Sequence, residues 1–120
     1  MSKVNRNEIF NKFGGRCAYC GAILEQRWHA DHLEPVVRCL HTGEMTKPEN
    51  DNFGNMMPSC PSCNMDKSSM PLEVWRGLIE NKINVLNRDV AVYRFAKRYG
   101  LVQETGKPVV FYFEREGGKQ

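Results

Sequence analysis

Long hydrophobic runs are missing from this sequence. The longest uninterrupted run of the usual membrane type covers residues 109–113, far below the roughly 20 apolar residues that cross a bilayer. The N-terminal residues are charged where a secretory signal needs an apolar stretch of about 7–15 residues. These two absences predict a cytoplasmic protein without membrane association, in a compartment where thiols stay reduced.

A strong excess of charge of one sign is also missing. The 120 residues include 17 Lys+Arg and 14 Asp+Glu, a formal charge of +3, well short of the clustered basic footprint that by itself indicates nucleic acid. With 41% hydrophobic and 26% charged residues, the composition is that of a folded globular protein, which disfavours bulk disorder and a coiled coil. The length fits a single domain over residues 1–120.

Cysteine, in contrast, is frequent, with five residues in this small chain. Four of them form two Cys-x-x-Cys pairs, Cys17/Cys20 and Cys60/Cys63, with 39 residues between the pairs. Two turns that each offer two thiolates suit a tetrahedral zinc ion with bonds of about 2.3 Å. A thioredoxin-like redox pair and four separate core thiols are the alternatives, but two pairs in a reducing compartment favour structural zinc. Cys39 is left over and is expected to be a small apolar or inert loop thiol.

The first predicted element is a short helix over residues 6–13. Asn5 is a favoured N-cap, and Glu8 three residues later completes a variant of the capping box. Val4 and Ile9 occupy the positions of a hydrophobic staple. The two glycines that follow the helix predict its end, because glycine adopts left-handed conformations cheaply.

The segment between the cysteine pairs predicts two short strands and a long loop. Aromatic and aliphatic residues mix over residues 28–37, which is typical of a strand followed by a turn. Residues 38–55 show no periodicity and carry several turn signals, which predicts a loop long enough to suggest a function. A second short strand is predicted over residues 55–58.

Two helices and a strand are predicted after the second cysteine pair. Pro71 suits the first position of a helix, and apolar residues then recur on one helical face that we expect to be core: Leu72, Trp75, Ile79, Ile83 and Leu86. A further helix is predicted over residues 89–99. A strand is predicted over residues 109–114, and a frayed tail over residues 115–120.

Three short motifs accompany the cysteine pairs. Residues 30–35 read ADHLEP, residues 55–60 read NMMPSC, and residues 64–67 read NMDK directly after the second pair. In this order and spacing, together with the opening segment 8–21, the chain resembles the HNH endonucleases over residues 8–70. Each motif alone is weak, but the combination is specific.

The resemblance implies an α+β fold with a ββα-metal core. This core, the His-Me finger, would cover residues 28–70 and be stabilised by the four-cysteine zinc site. A C-terminal helical extension over residues 71–100 and a terminal strand and tail over residues 101–120 would complete the single domain.

The resemblance also implies roles for four residues. His32 would be the general base, and Asp31 and Asn64 would be ligands of a catalytic divalent ion. Asn55 would act in catalysis by holding the hairpin and orienting the His32 ring. Histidine suits the removal of a proton from water at neutral pH, because its unperturbed pKa is about 6.5. Asn64 stands where the family often has His, and its neutral carbonyl oxygen favours Mg2+ or Mn2+ over Zn2+ as the catalytic ion.

Structural alternatives exist for each of these residues. His32 can be an ordinary structural histidine, and Asp31 a turn or cap carboxylate. Asn64 can cap the following helix, and Asn55 can be a plain turn residue. Neighbours on a regular strand face opposite sides, so Asp31 and His32 can share one small site only near a strand end or an irregularity.

Cations near the motif are the candidate substrate ligands. Lys67 is either a solvated helix residue or a contact for the scissile phosphate. One face of the last helix carries Arg94, Lys97 and Arg98, which are either solvated or in contact with phosphates. Three further polar residues receive no definite role, although Glu34 suits an outer-shell position: His29, Glu34 and His41.

These features predict a metal-dependent endonuclease that hydrolyses DNA, by nicking or by double-strand cleavage. Double-stranded DNA is then the expected partner, and no element that reads base sequence accompanies the motif. One alternative is a non-catalytic zinc module that binds nucleic acid or a protein. Another is the nuclease subunit of a larger phage complex with a phage or host protein partner. The strand over 109–113 would then be a candidate docking edge, although we favour the alternative that it covers the domain's own sheet. The protein would be a monomer or a dimer.

Overall fold

The computed structural model describes residues 5–116, so that the predictions for Val4 and for residues 117–120 lie outside the described part. Contacts divide the chain into two compact units. The first comprises Met1–Leu72 with Val110–Gln120, and the second comprises Glu73–Val109. The single domain predicted over the whole chain stays a prediction. No helix of the described part is long and apolar enough to cross a membrane.

The first unit begins with the predicted N-terminal helix. Helix α1 covers Arg6–Phe10 and continues as a tighter 3-10 turn over Asn11–Phe13. The Asn5 side chain accepts a hydrogen bond of 2.8 Å from the backbone N–H of Asn7, as an N-cap does. Gly14 ends the helix in the left-handed region at φ 65°, a conformation that costs a residue without Cβ little. The prediction for this element is confirmed.

A two-stranded antiparallel hairpin forms the centre of the first unit. Strand β1 covers His29–His32 and strand β2 covers Met56–Ser59. Asp31 pairs with Met57 in the register of the hairpin. All four residues of β2 are buried, whereas β1 buries only Asp31. The two predicted strands are therefore confirmed, although β1 is shorter than the predicted segment.

Residues 33–55 form one long loop, which contains the loop predicted over residues 38–55. Its backbone bonds to itself through an isolated bridge between Arg38 and Met45 and through 3-10 turns at Pro48–Asn50 and Phe53–Asn55. The loop therefore has defined local structure, although it contains no regular strand or α-helix.

The two cysteine pairs lie in two different kinds of turn. The first pair lies in a knuckle in which the backbone N–H of Cys17 donates to the carbonyl of Ala22 at 2.8 Å. Gly21 has φ 82° in this knuckle, and a Cβ there would come within 2.9 Å of the Tyr112 ring, so only glycine fits. The second pair opens helix α2, Pro61–Lys67, with Cys60 as its N-cap.

The strand predicted over residues 109–114 is wrong. The chain forms helix α5 over Tyr112–Glu116 instead. Glu114 explains the difference, because its Oε1 accepts a 2.8 Å hydrogen bond from the backbone N–H of Phe111, which is the return half of a capping box. The first residues of the predicted frayed tail, Arg115 and Glu116, belong to this helix. The docking edge expected over 109–113 disappears with the strand.

Contacts with the first cysteine knuckle hold α5 in place. The backbone N–H of Tyr112 donates to the carbonyl of Tyr19 at 2.9 Å, and that of Phe113 donates to the carbonyl of Ala18 at 2.7 Å. Phe111 is buried and packs edge-on against the Tyr19 ring. Aromatic burial, rather than a sheet ladder, therefore accounts for the apolar run.

The second unit is helical, and helix α3, Leu72–Asp89, leads into it. Helix α4 covers Ala91–Arg98, and only Val90 separates the two helices. Both predicted helices are confirmed: α3 begins one residue after Pro71, and α4 agrees with the predicted range of 89–99 to within two residues at each end. The apolar stripe is buried at its beginning, where Trp75 is 2% exposed, but Ile83 is 39% exposed. The expected core face is thus confirmed only for its first turns.

Candidate metal centre and active site

The four paired cysteines converge on one point of the first unit. Their Sγ atoms all lie within 4.8 Å of one another. The Sγ atoms of Cys20 and Cys60, one from each pair, are 3.8 Å apart. A tetrahedral zinc ion with bonds of about 2.3 Å separates its sulfurs by about 3.8 Å, so the donor set fits zinc in both chemistry and spacing. Cys39 is not a member of the cluster.

Two of the four sulfurs accept hydrogen bonds from backbone N–H groups, and the thiols also share hydrogens with one another. The backbone N–H of Tyr19 donates to the Cys17 sulfur, and that of Cys63 donates to the Cys60 sulfur, each at 3.4 Å. A hydrogen bond from the Cys63 thiol lowers the pKa of Cys17, and the same contact raises the pKa of Cys63. Burial raises the pKa of Cys20. Metal binding to such a set therefore releases protons, as expected where zinc replaces shared hydrogens.

Asp31 lies on the buried side of β1 and has two partners on one carboxylate oxygen. The Tyr19 hydroxyl donates to Oδ2 at 2.6 Å, and the Lys67 ammonium lies 3.1 Å from the same atom. Burial and the Asp31 charge raise the pKa of Tyr19, so this hydroxyl keeps its proton and remains a donor. Within residues 5–116, no hydrogen bond reaches Oδ1 of Asp31, which leaves that oxygen available to a ligand.

Lys67 is completely buried, with 0% exposure. Its ammonium also donates to the backbone carbonyl of His32 at 2.9 Å. The alternative of a solvated helix residue is therefore wrong for Lys67. The side chain connects the last turn of α2 with both residues of the Asp31-His32 pair.

His32 is the last residue of β1, where the regular alternation of the strand stops. Its Nε2 lies 2.9 Å from Oδ1 of Asp51, and the two side chains are 25% and 11% exposed. The sequence pattern does not indicate Asp51, because 19 positions separate the two residues and no periodic pattern spans the loop. The cluster of Asn and Asp residues at positions 50–52 was the only signal, and it indicated a turn.

Asn55 ties the open end of the hairpin to the loop. Its Oδ1 accepts from the backbone N–H of Glu34 at 3.0 Å, and its Nδ2 donates to the carbonyls of Glu34 at 2.8 Å and Asn50 at 2.6 Å. Its own carbonyl accepts from the N–H of Leu33 at 2.7 Å. All these contacts are with backbone atoms, and none of the hydrogen bonds found over residues 5–116 joins the Asn55 side chain to the His32 ring.

A cavity of about 450 Å³ opens beside these residues. Asp31, His32 and Lys67 line it together with Ser68, Ser69 and the beginning of the long loop. The structure thus brings three of the predicted site residues to one concave surface, and the end of β1 allows the two neighbours to share it.

Asn64 does not belong to the lining of this cavity. It lies half-buried in the middle of α2, and Cys60, not Asn64, caps that helix, so the capping alternative is wrong. Its backbone bonds to Cys60 and Ser68 within the helix. Its side chain makes no hydrogen bond to any part of the chain that the structure describes, which leaves the amide oxygen available.

Residues 17–70 match the protein-family model described as HNH endonuclease. This segment belongs to the HNH endonuclease family. The matched HNH segment begins at Cys17 and ends just after Lys67, and so contains both cysteine pairs, the hairpin, the cavity and α2. Neither a curated protein nor a solved structure matches the chain. The resemblance drawn from the sequence is confirmed.

The cations predicted to contact substrate outside the HNH segment have partners within the second unit. Arg94 donates to the carbonyls of Asn87 and Arg88 at 3.0 and 2.9 Å, near the C-terminal end of α3. This contact satisfies carbonyls that a helix end leaves open. Arg94 is therefore engaged in the fold, and its role as a phosphate ligand stays a prediction.

Lys97 and Arg98 are engaged in a similar way. The Lys97 ammonium lies 3.1 Å from Glu104 and donates to the side chain of Asn87 at 3.0 Å. The Arg98 guanidinium lies over the Phe95 ring, 5.1 Å from its centre. Phosphate contact would have to compete with these interactions, and it stays a prediction for both residues.

Proposed function

We propose that this protein is a metal-dependent endonuclease that hydrolyses the phosphodiester bonds of DNA. The observation that best supports this proposal is that His32 and Asp31 line the same cavity inside the HNH segment. The His32 ring also contacts the carboxylate of Asp51. Hydrolysis needs a group that takes a proton from water and a means of neutralising charge at phosphorus. The family implies a nucleic-acid substrate, and double-stranded DNA is our choice within that class.

Asp31 and Asn64 are the residues that would hold the catalytic ion. Asp31 would bind through Oδ1, because Tyr19 and Lys67 already engage Oδ2. Asn64 would contribute its amide oxygen. Carboxylate and amide oxygens are the donors that Mg2+ and Mn2+ prefer. When bound, the ion would supply charge neutralisation for the phosphate and for the departing oxygen.

His32 would act as the general base that takes a proton from the attacking water. Its side chain is 25% exposed and lines the cavity, so the attacking water would reach the ring from the cavity. Lys67 would act through Asp31, because a buried ammonium stabilises the ionised carboxylate and fixes Oδ2. The family resemblance implies products with a 5′-phosphate and a 3′-hydroxyl.

The test is cleavage of supercoiled plasmid by the zinc-loaded protein, with Mg2+ or Mn2+ added and with neither. We expect cleavage only with the added ion, and its loss in His32→Ala. His41→Ala is the matched control, because His41 is an exposed loop histidine and should cleave like the wild type. Cleavage without a divalent ion, or equal cleavage by His32→Ala, would contradict the proposal.

A non-catalytic zinc module that binds nucleic acid or protein is the second candidate. The buried ion pair of Lys67 with Asp31 favours it, since the proposed metal ligand already has a cationic partner. In that case Asp31, His32 and Asn64 should be individually dispensable for binding, whereas each of the four clustered cysteines should be required. Plasmid binding by gel shift, compared with plasmid cleavage, separates the two candidates.

A further inference from the structure

We propose that Asp51 is a positioning residue that fixes the orientation and the tautomer of His32, so that Nδ1 is the nitrogen that receives the proton from water. The inference rests on the proposed function, because it takes His32 to be the base. It adds a residue of the long loop to a site otherwise built from the hairpin and from α2.

The chemistry of the contact determines where the ring proton lies. A carboxylate can only accept hydrogen bonds, and its Oδ1 is 2.9 Å from Nε2 of His32. The neutral ring therefore carries its hydrogen on Nε2 and has its lone pair on Nδ1. Both side chains are largely removed from water, which strengthens the contact relative to one on the open surface.

The loop is braced immediately before Asp51. The backbone N–H of Asp51 donates to the carbonyl of Pro48 at 3.0 Å, and the Asn50 side chain donates to the carbonyl of Pro35 at 2.9 Å. The Asn50 carbonyl in turn accepts the 2.6 Å bond from Asn55. The residue before Asp51 is thus held at both its side chain and its backbone.

Through these loop contacts, Asn55 can influence the orientation of the His32 ring. Over residues 5–116, the hydrogen bonds of the Asn55 side chain go to backbone atoms of Glu34 and Asn50, on either side of the gap between the hairpin and the loop. It therefore sets the position from which Asp51 reaches the ring. Asn55 would orient His32 through Asp51 and the loop backbone, without touching the ring itself.

NMR reports which nitrogen of the His32 ring carries the proton, and it requires no DNA-cleavage assay. Zinc-loaded full-length protein labelled with 15N in histidine has three imidazole rings, and loss of one set of signals in His32→Gln assigns His32. At a pH well above about 6.5, couplings of the carbon-bound ring protons to the two nitrogens report the tautomer. We expect the pure Nε2–H form in the wild type and a mixture of tautomers in Asp51→Ala.

The matched control is Glu49→Gln, which removes an exposed carboxylate two positions away and should leave the His32 signals unchanged. An Nδ1–H form or a mixture in the wild type would contradict the proposal, and so would an unchanged pure Nε2–H form in Asp51→Ala. Because this readout needs no nuclease activity, it stands even where the proposed function fails.

Kinetics then separates positioning from direct contact with substrate. We expect kcat to fall at least about 10-fold in Asp51→Ala and KM to stay within about twofold, since loss of the carboxylate that orients a histidine costs about this much at metal-bound histidines and more at general bases. Asp51→Asn, which keeps the size of the side chain, should also lose kcat, and Asp51→Glu should recover part of it. A higher KM with unchanged kcat would show direct contact and overturn the positioning role.

Discussion

The cysteine cluster and the cavity of Asp31 and His32 lie in the same unit but depend on different kinds of contact. In the cluster, weak N–H···S bonds reach the sulfurs of Cys17 and Cys60, and the four sulfurs lie close enough together to hold a metal ion. Around the cavity, contacts within the protein are already formed: Tyr19 and Lys67 bind the Asp31 carboxylate, Asp51 binds the His32 ring, and the Asn55 side chain binds the loop backbone. We therefore expect the fold to depend on zinc, whereas the cavity should keep its shape without a catalytic ion.

Removal of zinc should have the largest effect. Structural zinc contributes apparent binding free energies of about 10–16 kcal/mol in small zinc domains, and that free energy is part of their folding. A chelator, or Cys63→Ser, should abolish the cooperative thermal transition followed by circular dichroism. Cys39→Ser is the control, since Cys39 lies outside the cluster, and should melt like the wild type. A melting temperature unchanged after chelation would show that the cluster is not a folding element.

Lys67→Met should have the next largest effect. It removes one partner of a buried ion pair and leaves the Asp31 carboxylate without its cation, which typically costs about 3–5 kcal/mol. Urea denaturation of the zinc-loaded protein measures this loss of unfolding free energy. Lys47→Met provides the comparison, because Lys47 is exposed and its side chain should contribute little. Equal stabilities of the two variants would mean that the cavity does not depend on this pair.

Asn55→Ala should cost less, about 1–3 kcal/mol. The substitution leaves the backbone N–H of Glu34 without its acceptor, and the carbonyls of Glu34 and Asn50 without a donor. The same urea experiment measures it, with Asn81→Ala, an exposed residue of α3, as the reference. Stabilities that do not differ between these two variants would remove the bracing role that we assign to Asn55.

The same two regions also differ in how far the sequence predicts them. The cysteine cluster follows from spacing alone, because each Cys-x-x-Cys pair places two sulfurs in one turn. Asp31, His32 and Asn55 were found through family motifs. No motif indicates Asp51, since its contact with His32 crosses the long loop and depends on how residues 33–55 fold. The buried position of Lys67 was equally invisible, because a lysine in a helix is ordinarily solvated.

The wrong strand over residues 109–114 has a related cause. An apolar run of this length suits a strand and a buried helix end equally, and periodicity does not separate them. The position of Glu114 three residues after Phe111 was the signal that a helix begins there. Local capping chemistry thus decided the element, and packing against Tyr19 decided which residues were buried.

The smallest effect should come from Glu104, whose network in the second unit is only partly buried. Hydrogen bonds from Asn87, Tyr93 and Lys97 lower the pKa of Glu104 to about 2. A lowered pKa means that the network stabilises the fold above the ordinary glutamate pKa of about 4.3 and loses this contribution as the pH falls towards 2. The difference in stability between the wild type and Glu104→Gln should therefore be greatest near neutral pH and shrink on acidification. A difference that stays constant with pH would show that the charge of Glu104 does not contribute. In either case it should remain below the effect of Lys67→Met, because solvent screens a partly exposed network more than a buried pair.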